Sequence, residues 1–260
     1  MTPPAVRQSL PTFVNDLPPL PDEYEAVIRA DLGSIAQLDV TPAQLEAIGD
    51  HVRLLMAWNT AINLSGIRTP EQIAREHVLD SLAAVPLLRS AGIDEFMDIG
   101  SGGGFPGLPL AIALPARRAL LVESIGKKAR FLATAADACG LGSNVRVAAT
   151  RAETLAADPH HRGQWQAVVS RAVADLAELA ELSLPLLQVG GLLIAWKRWP
   201  MDEELGRSEA ALNKLKGRLG SVEPVSVPGL HHHVLVVIEK VAETPREWPR
   251  DPASRRRNPW

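Results

Sequence analysis

The chain has 260 residues, 46% of them apolar and 22% charged, with a formal net charge of −3. That allows one large domain, or one domain with an appendage, around a buried core. The near-neutral balance excludes a protein that works through a global basic field, so any nucleic-acid contact must come from local basic surface. Residues 1–50 hold two Arg against eight acids, a balance of −6, and the remaining 210 residues hold 25 basic against 22 acidic, a balance of +3. Cys139 is the only cysteine, which excludes an internal disulfide and a cysteine metal cluster. It falls in an apolar helical pattern and reads as a small buried residue. No apolar run approaches a membrane span, and the first residues lack a basic-then-apolar signal. A cytoplasmic protein is expected.

Residues 1–21 carry six prolines and little periodicity, and are expected to be a mobile leader. Helical signals begin near Asp22. Thr41 and Pro42 open a helix as N-cap and first residue, with Leu45, Ile48, Val52 and Leu55 as its apolar stripe. Thr69-Pro70 opens another, with Gln72 as capping-box partner of Thr69. That segment carries Arg75, Glu76, His77, Asp80 and Ser81, and His77 and Asp80 read as a polar helix face or a capping pair. Residues 22–90 are thus a helical extension.

Strands and helices alternate from Ile93 onward, which predicts a parallel sheet with helices on both faces. Strands are expected near 95–99, 119–123, 144–148, 165–170, 192–196, 221–227 and 233–241. Helices are expected over Lys127 to Cys139, Asp175 to Leu187, and 201–218. No helix fits between the last two strands, so they pair as a hairpin and one strand runs antiparallel. His231, His232 and His233 alternate sides along a strand and lack a nearby carboxylate or cysteine, so they read as a polar turn edge and not as a metal site. No metal is expected.

The chain is organised around Glu95 to Pro109, EFMDIGSGGGFPGLP. An apolar strand carrying Asp98 breaks into Gly100, Ser101, Gly102, Gly103 and Gly104. Pro106 then opens an apolar helix. Such a turn lets a ligand approach the backbone at the carboxyl end of a parallel strand. Gly102, Gly104 and Gly107 satisfy G-x-G-x-x-G, a dinucleotide signature, and no Lys-Ser or Lys-Thr follows to make a P-loop. Glu123, about twenty residues further on at the tip of the second strand, suits ribose hydroxyls. Both NAD and S-adenosyl-L-methionine (SAM) present such a ribose.

The sequence resembles class I SAM-dependent methyltransferases, and more closely the bacterial ribosomal RNA small subunit methyltransferase G family, also called glucose-inhibited division protein B. The residues that carry the likeness are WNTAINLSGI (Trp58–Ile67), REHVLDSL (Arg75–Leu82), MDIGSGGGFPGLPLAIALP (Met97–Pro115), LVESIGKKARFL (Leu121–Leu132), RAETL (Arg151–Leu155), VVSRAVADL (Val168–Leu176) and VVIEKVAETPREWPR (Val236–Arg250). The resemblance implies a Rossmann-like α/β fold with a seven-stranded, mostly parallel sheet. Taken with the chain's own composition and periodicity, the expected organisation is leader 1–21, helical extension 22–90, methyltransferase domain 91–243 and basic tail 244–260. The resemblance also implies methyl transfer from SAM to N7 of a guanine in the 530 loop of 16S rRNA, the 16S rRNA (guanine(527)-N(7))-methyltransferase reaction. By carry-over Gly100, Gly102 and Phe105 belong to the cofactor loop. Glu123 holds the ribose, Ala152 and Glu153 flank the adenine, and Arg171 positions target or cofactor. Glu123 stands where the family often has Asp.

Guanine N7 has an in-plane lone pair that is free at neutral pH, so alignment without a general base suffices. Arg171 and Lys197, with Arg198, are the candidates for the active rim. Lys127, Lys128 and Arg130 oppose the dipole of their helix and suggest phosphate contact. Arg246, Arg250 and Arg255 to Arg257 are candidates to track the RNA backbone. The expected partner is 16S rRNA, in a 30S subunit or an assembly intermediate, and a monomer suffices. The alternatives are an NAD-dependent oxidoreductase and a non-catalytic RNA-binding protein on the same fold.

Overall fold

A computed structural model describes residues 10–114 and 116–260. Residues 1–9 of the expected leader, and Pro115 at the end of the glycine-loop motif, lie outside the described residues. Seven strands form one sheet: β1 (Glu95–Ile99), β2 (Arg118–Val122), β3 (Val145–Ala148), β4 (Trp165–Arg171), β5 (Leu187–Arg198), β6 (Gly217–Pro224) and β7 (His233–Lys240). Their order is β3-β2-β1-β4-β5-β7-β6. All neighbours are parallel except β7, which runs antiparallel to both β5 and β6. The hairpin read from the missing helix is therefore present, inserted so that β7, not β6, pairs with the parallel body.

Alternation along the strands divides the core in two. Phe96, Ala119, Leu121, Val169 and Ile194 face one layer, which holds helices Pro42–Trp58, Gly107–Ala113 and Gly126–Ala138. Met97, Ile99, Leu120, Val122, Val168 and Leu193 face the other, which holds helices Ala152–Ala157, Leu176–Ser183 and Asp202–Leu215. The first layer continues without a break into the N-terminal helices, so the extension shares the core of the sheet domain. Among the described residues no helix is long and apolar enough to cross a membrane.

Several boundaries differ from the sequence reading for identifiable reasons. The helix expected to reach Leu187 ends at Ser183, because Pro185 cannot donate the next helical hydrogen bond. β5 then starts at Leu187 instead of 192. The following helix closes at Leu215, where Lys216 takes a left-handed φ of 65°, and β6 starts at once. The helix opened by Thr69 is regular only over Pro70–Gln72, widens to a π-helix over Ile73–Leu79 and closes over Asp80–Leu82. Such widened turns favour functional positions, and this one carries Glu76 and His77.

Both chain ends need correction. Residues 10–21 are not free of the fold: Leu10, Val14, Leu17 and Leu20 pack against the core. Their carbonyls are claimed by helix Pro42–Trp58. Arg53 donates to Val14 O, Leu17 O and Pro18 O, and Trp58 Nε1 donates to Pro11 O at 2.7 Å. A proline-rich segment has few N–H groups of its own, and here neighbouring side chains satisfy its acceptors. The basic tail is likewise docked. Arg250 pairs with the buried Glu181, and Arg255, 9% exposed, pairs with Glu153 and Glu178. Neither is available to track RNA, whereas Arg246, Arg256 and Arg257 are exposed.

The close approach of β1 to helix Gly107–Ala113 demands a glycine at its first residue. A Cβ on Gly107 would lie 2.5 Å from Asp98 Oδ2 and 2.5 Å from Leu121 Cδ2. Gly107→Ala is expected to destabilise the fold by about 1–3 kcal/mol through overpacking. Urea denaturation checks this, and an unchanged midpoint would contradict it.

Candidate active site

The glycine turn is clamped by acids from two neighbouring strands. Asp98, on β1, is fully buried, and its Oδ2 accepts the Gly107 N–H at 3.1 Å. Burial pushes its carboxyl up to about 7. Glu123, just past β2 and 7% exposed, accepts the Gly102 N–H at 3.1 Å through Oε2 and the Ile125 N–H at 2.8 Å through Oε1. Gly100 and Ser101 both donate to Val122 O, at 2.9 and 3.1 Å. Gly100 has φ 73°, and a Cβ there would come within 2.4 Å of Val173 Cγ2. No other residue type meets both demands without strain.

Beside this turn is a cleft of about 210 Å³ lined by Gly100, Glu123, Ala152, Glu153, Val173 and Arg255. The segments that follow β1, β2, β3 and β4 supply most of these walls, with Arg255 added from helix Pro252–Arg257, and Gly100, Glu123, Ala152 and Glu153 of the expected cofactor set lie together here. Gly102 touches the cleft through its hydrogen bond to Glu123. Phe105 does not line it. The ring is 5% exposed behind the turn, 4.4 Å from His51 and stacked at 4.5 Å on His77. Its contribution is to hold the turn from behind. Arg255 was not legible as a cleft residue, because about a hundred residues separate it from Glu153 and no motif surrounds it.

Arg171 also lies outside this cleft. It lines a second one, of about 360 Å³, with Glu76, His77, Asp80, Lys197 and His233. The two clefts share one backbone segment: Ala172 lines the second, while Val173 and Ala174 line the first. Ala172 has a left-handed φ of 58°, a conformation that costs an alanine about 1–2 kcal/mol. Arg171 is held on several sides. NH1 donates to Glu76 O at 2.6 Å and to Asp80 Oδ2 at 3.1 Å, and NH2 donates to His77 Nδ1 at 2.8 Å.

Because a guanidinium can only donate, His77 Nδ1 is the acceptor and the ring proton sits on Nε2, which donates to Ser65 Oγ at 2.6 Å. Burial and the Arg171 charge push His77 down to about 3. Burial likewise lowers His51 to about 4, with its Nε2 donating to Gly103 O at 2.8 Å. Asp80 is fully buried, and its Oδ1 accepts from His233 Nδ1 at 2.9 Å.

The polar-face reading of His77 and Asp80, and the turn-edge reading of His233, are therefore corrected. All three converge on Arg171 or on its partner. His233 lies 153 residues from Asp80, so only the strand register could bring them together. Lys197 is present at the second cleft, but its Nζ is committed to Ala174 O at 2.8 Å and Glu204 Oε1 at 2.5 Å. It fixes the shared segment to helix Asp202–Leu215. Among the described residues no group of three His, Cys, Asp or Glu side chains could hold a metal ion.

A carboxylate accepts about four hydrogen bonds, so Glu123 retains capacity for two hydroxyls after its backbone contacts. The glycine turn offers a side-chain-free approach beside it. These features fit an adenosyl cofactor and define the class: a nucleoside-binding α/β sheet of the class I methyltransferase type. A likeness in fold extends to the O-methyltransferase from Bacillus cereus, with a TM-score of 0.53 and 16% identity over 84% of this chain and 100% of that one.

The family model of rRNA small subunit methyltransferase G matches residues 44–233. Among relatives, ribosomal RNA small subunit methyltransferase G of Roseiflexus sp. (strain RS-1) is 45% identical over 207 residues, which are 80% of this chain and 88% of that protein. The protein of the same description from Deinococcus radiodurans is 42% identical over 224 residues, 85% of each chain. The chain belongs to the rRNA small subunit methyltransferase G family, and is a SAM-dependent rRNA methyltransferase.

Gly100→Val places a β-branched side chain at a left-handed position and against Val173. It is expected to abolish SAM binding in calorimetry, and unchanged affinity would contradict the assignment of the turn.

The buried titratable groups also predict a pH dependence. His51 and His77 are neutral in the fold, and the unfolded chain protonates both below 6.5. Their stability is present above 6.5 and lost as the pH falls toward about 4 and 3. Asp98 works in the opposite sense, its contribution being complete below 3.8 and lost as the pH rises through about 7. Two histidines outweigh one carboxyl, so stability falls between pH 6.5 and 4. The slope should be shallower in His77→Gln, measured by urea midpoints across the window. An equal slope would contradict the burial of a neutral His77.

Proposed function

We propose that the protein transfers the methyl group of SAM to N7 of a guanine in the 530 loop of 16S rRNA. What carries this reading is the adjacency of two unlike clefts across three residues, Ala172, Val173 and Ala174. The first, with its glycine turn and acid tip, suits the cofactor: Gly100 and Gly102 give backbone access, Glu123 accepts from the ribose, and Ala152 and Glu153 flank the adenine. The second suits a base. Guanine that turns N7 toward the first cleft presents N1–H and the 2-amino group on its other edge, and these need an acceptor. The Glu76 carboxylate lines the second cleft, and its only ion pair among the described residues is with Arg198 at 3.6 Å.

The cofactor supplies an electrophilic methyl on a sulfonium. The protein supplies position. Arg171 and Lys197 fix the wall between the clefts, and Phe105 supports the turn from behind. No general base is called for, since N7 carries no proton, and the ionisable groups at hand are otherwise engaged. His77 and Asp80 are bound to Arg171, and Asp98 is fully buried. Rate then comes from near-attack alignment in a site that excludes water.

A guanine within a loop is reached unpaired or extruded. Lys127 and Arg130 are exposed and Lys128 is half-buried, and none makes an ion pair among the described residues. With Arg198, Arg246, Arg256 and Arg257 they offer the local basic surface for the RNA backbone. The partner is 16S rRNA in a 30S subunit or an assembly intermediate, met by a monomer in the cytoplasm.

Mapping of methylated bases in rRNA from cells lacking the protein is the test. Loss of one N7-methylguanine in the 530 loop, restored by the purified protein and SAM on subunits from those cells, is expected. An unchanged 530 loop with a base lost elsewhere would overturn the target.

A further inference from the structure

We propose that residues 244–260, which lie beyond the stretch matched by the family model, form a working wall of the cofactor cleft. In this wall Arg255 is the positioning residue. The inference rests on SAM occupying the cleft beside the glycine turn.

Arg255 lines that cleft together with Gly100, Glu123 and Glu153, and is 9% exposed. Its guanidinium spans two acids that line the same space. NH2 lies 3.2 Å from Glu153 Oε1, and Nε lies 3.2 Å from Glu178 Oε1. Its NH1 donates to Arg250 O at 2.7 Å. Three carboxylates, from Glu123, Glu153 and Glu178, border about 210 Å³. Arg255 pairs with two of them, offsets one unit of their charge and holds both in place. Adenine presents its 6-amino group as a donor on one edge. Glu153, held through Oε1, keeps Oε2 for such a donor.

The segment is docked at its start, middle and end. At the start, Thr244 Oγ1 donates to Leu215 O at 2.9 Å, and Arg162 donates to Thr244 O, Pro245 O and Trp248 O at 2.9–3.0 Å. In the middle, Arg250 pairs with Glu181, which is fully buried on helix Leu176–Ser183, through NH2 at 2.6 Å and Nε at 3.0 Å. At the end, Trp260 Nε1 donates to the same carboxylate at 2.7 Å, and Arg250 lies against the rings of Trp248 and Trp260. A buried acid that binds both the middle and the end of one segment carries it onto the helix that also bears Glu178. Cofactor affinity and the docking of this segment are thereby coupled.

The test compares wild type with Arg255→Ala and Arg255→Lys in calorimetry with S-adenosylhomocysteine and with 5′-methylthioadenosine, which keeps the adenosine end and lacks the amino acid. Arg255→Ala is expected to weaken both ligands by about tenfold, the scale of one charge-assisted hydrogen bond. KM for SAM should rise by the same factor, with kcat at saturating SAM and KM for the 30S subunit unchanged. Lysine, which can pair with one carboxylate at a time, should fall between. If Arg255→Ala fails to fold, Glu153→Gln leaves the segment docked and should give the same selective loss. Wild-type affinity in the folded variants, or a loss confined to S-adenosylhomocysteine, overturns the inference. Absence of binding by the wild type would overturn the cofactor assignment as well.

Discussion

Two buried carboxylates at the tips of adjacent strands hold the glycine turn, and the remainder of the site is arranged around that clamp. Asp98 takes the N–H of the residue that opens the next helix, and Glu123 takes an N–H from within the turn. Each acid spends part of its acceptor capacity on backbone that would otherwise be left unpaired in a buried setting. A turn of five small residues has little packing of its own. Its shape is imposed from outside by Asp98, Glu123, the Val122 carbonyl and the Phe105 ring. This is how a segment with high intrinsic freedom becomes a fixed surface for a ligand.

A second clamp, centred on Arg171, joins the N-terminal helices to the sheet. The guanidinium reaches a backbone carbonyl, a carboxylate and an imidazole on the segment Pro70–Leu82, and the carboxylate reaches β7 through His233. Removing either Arg171 or Asp80 alone would leave a buried charge without its partner, which typically costs about 3–5 kcal/mol. The extension is therefore part of the wall of the second cleft, and the boundary near residue 90 marks a change of secondary structure within one body. Immediately after Arg171 the chain passes through the left-handed Ala172 into the residues that line the first cleft. Arg171 and Lys197 thus fix the partition between the two clefts.

What was readable in the sequence was local. The glycine run, the acid at the tip of β2 and the hairpin of β6 and β7 each follow from spacing and from the periods of strand and helix, whereas Ala152-Glu153 came only from the family resemblance. What was not readable depended on contacts between distant segments. His77 and Asp80 look like an ordinary polar helix face until β4 supplies Arg171 and β7 supplies His233. The prolines before Asp22 suggest freedom until Arg53 and Trp58 are seen to bind their carbonyls. The arginines of the last residues suggest a tail that tracks RNA until Glu181, on helix Leu176–Ser183, is found buried beneath Arg250.

The central claim is that the acid-tipped turn seats the adenosyl donor, with its reactive end directed past Ala172–Ala174 toward the cleft of Arg171. A crystal structure of the protein with S-adenosylhomocysteine tests it most directly. The account predicts ribose hydroxyls on Glu123, adenine between Ala152–Glu153 and Arg255, and sulfur at the partition facing the second cleft. A nucleoside bound away from Glu123, or sulfur turned away from Arg171, would contradict it.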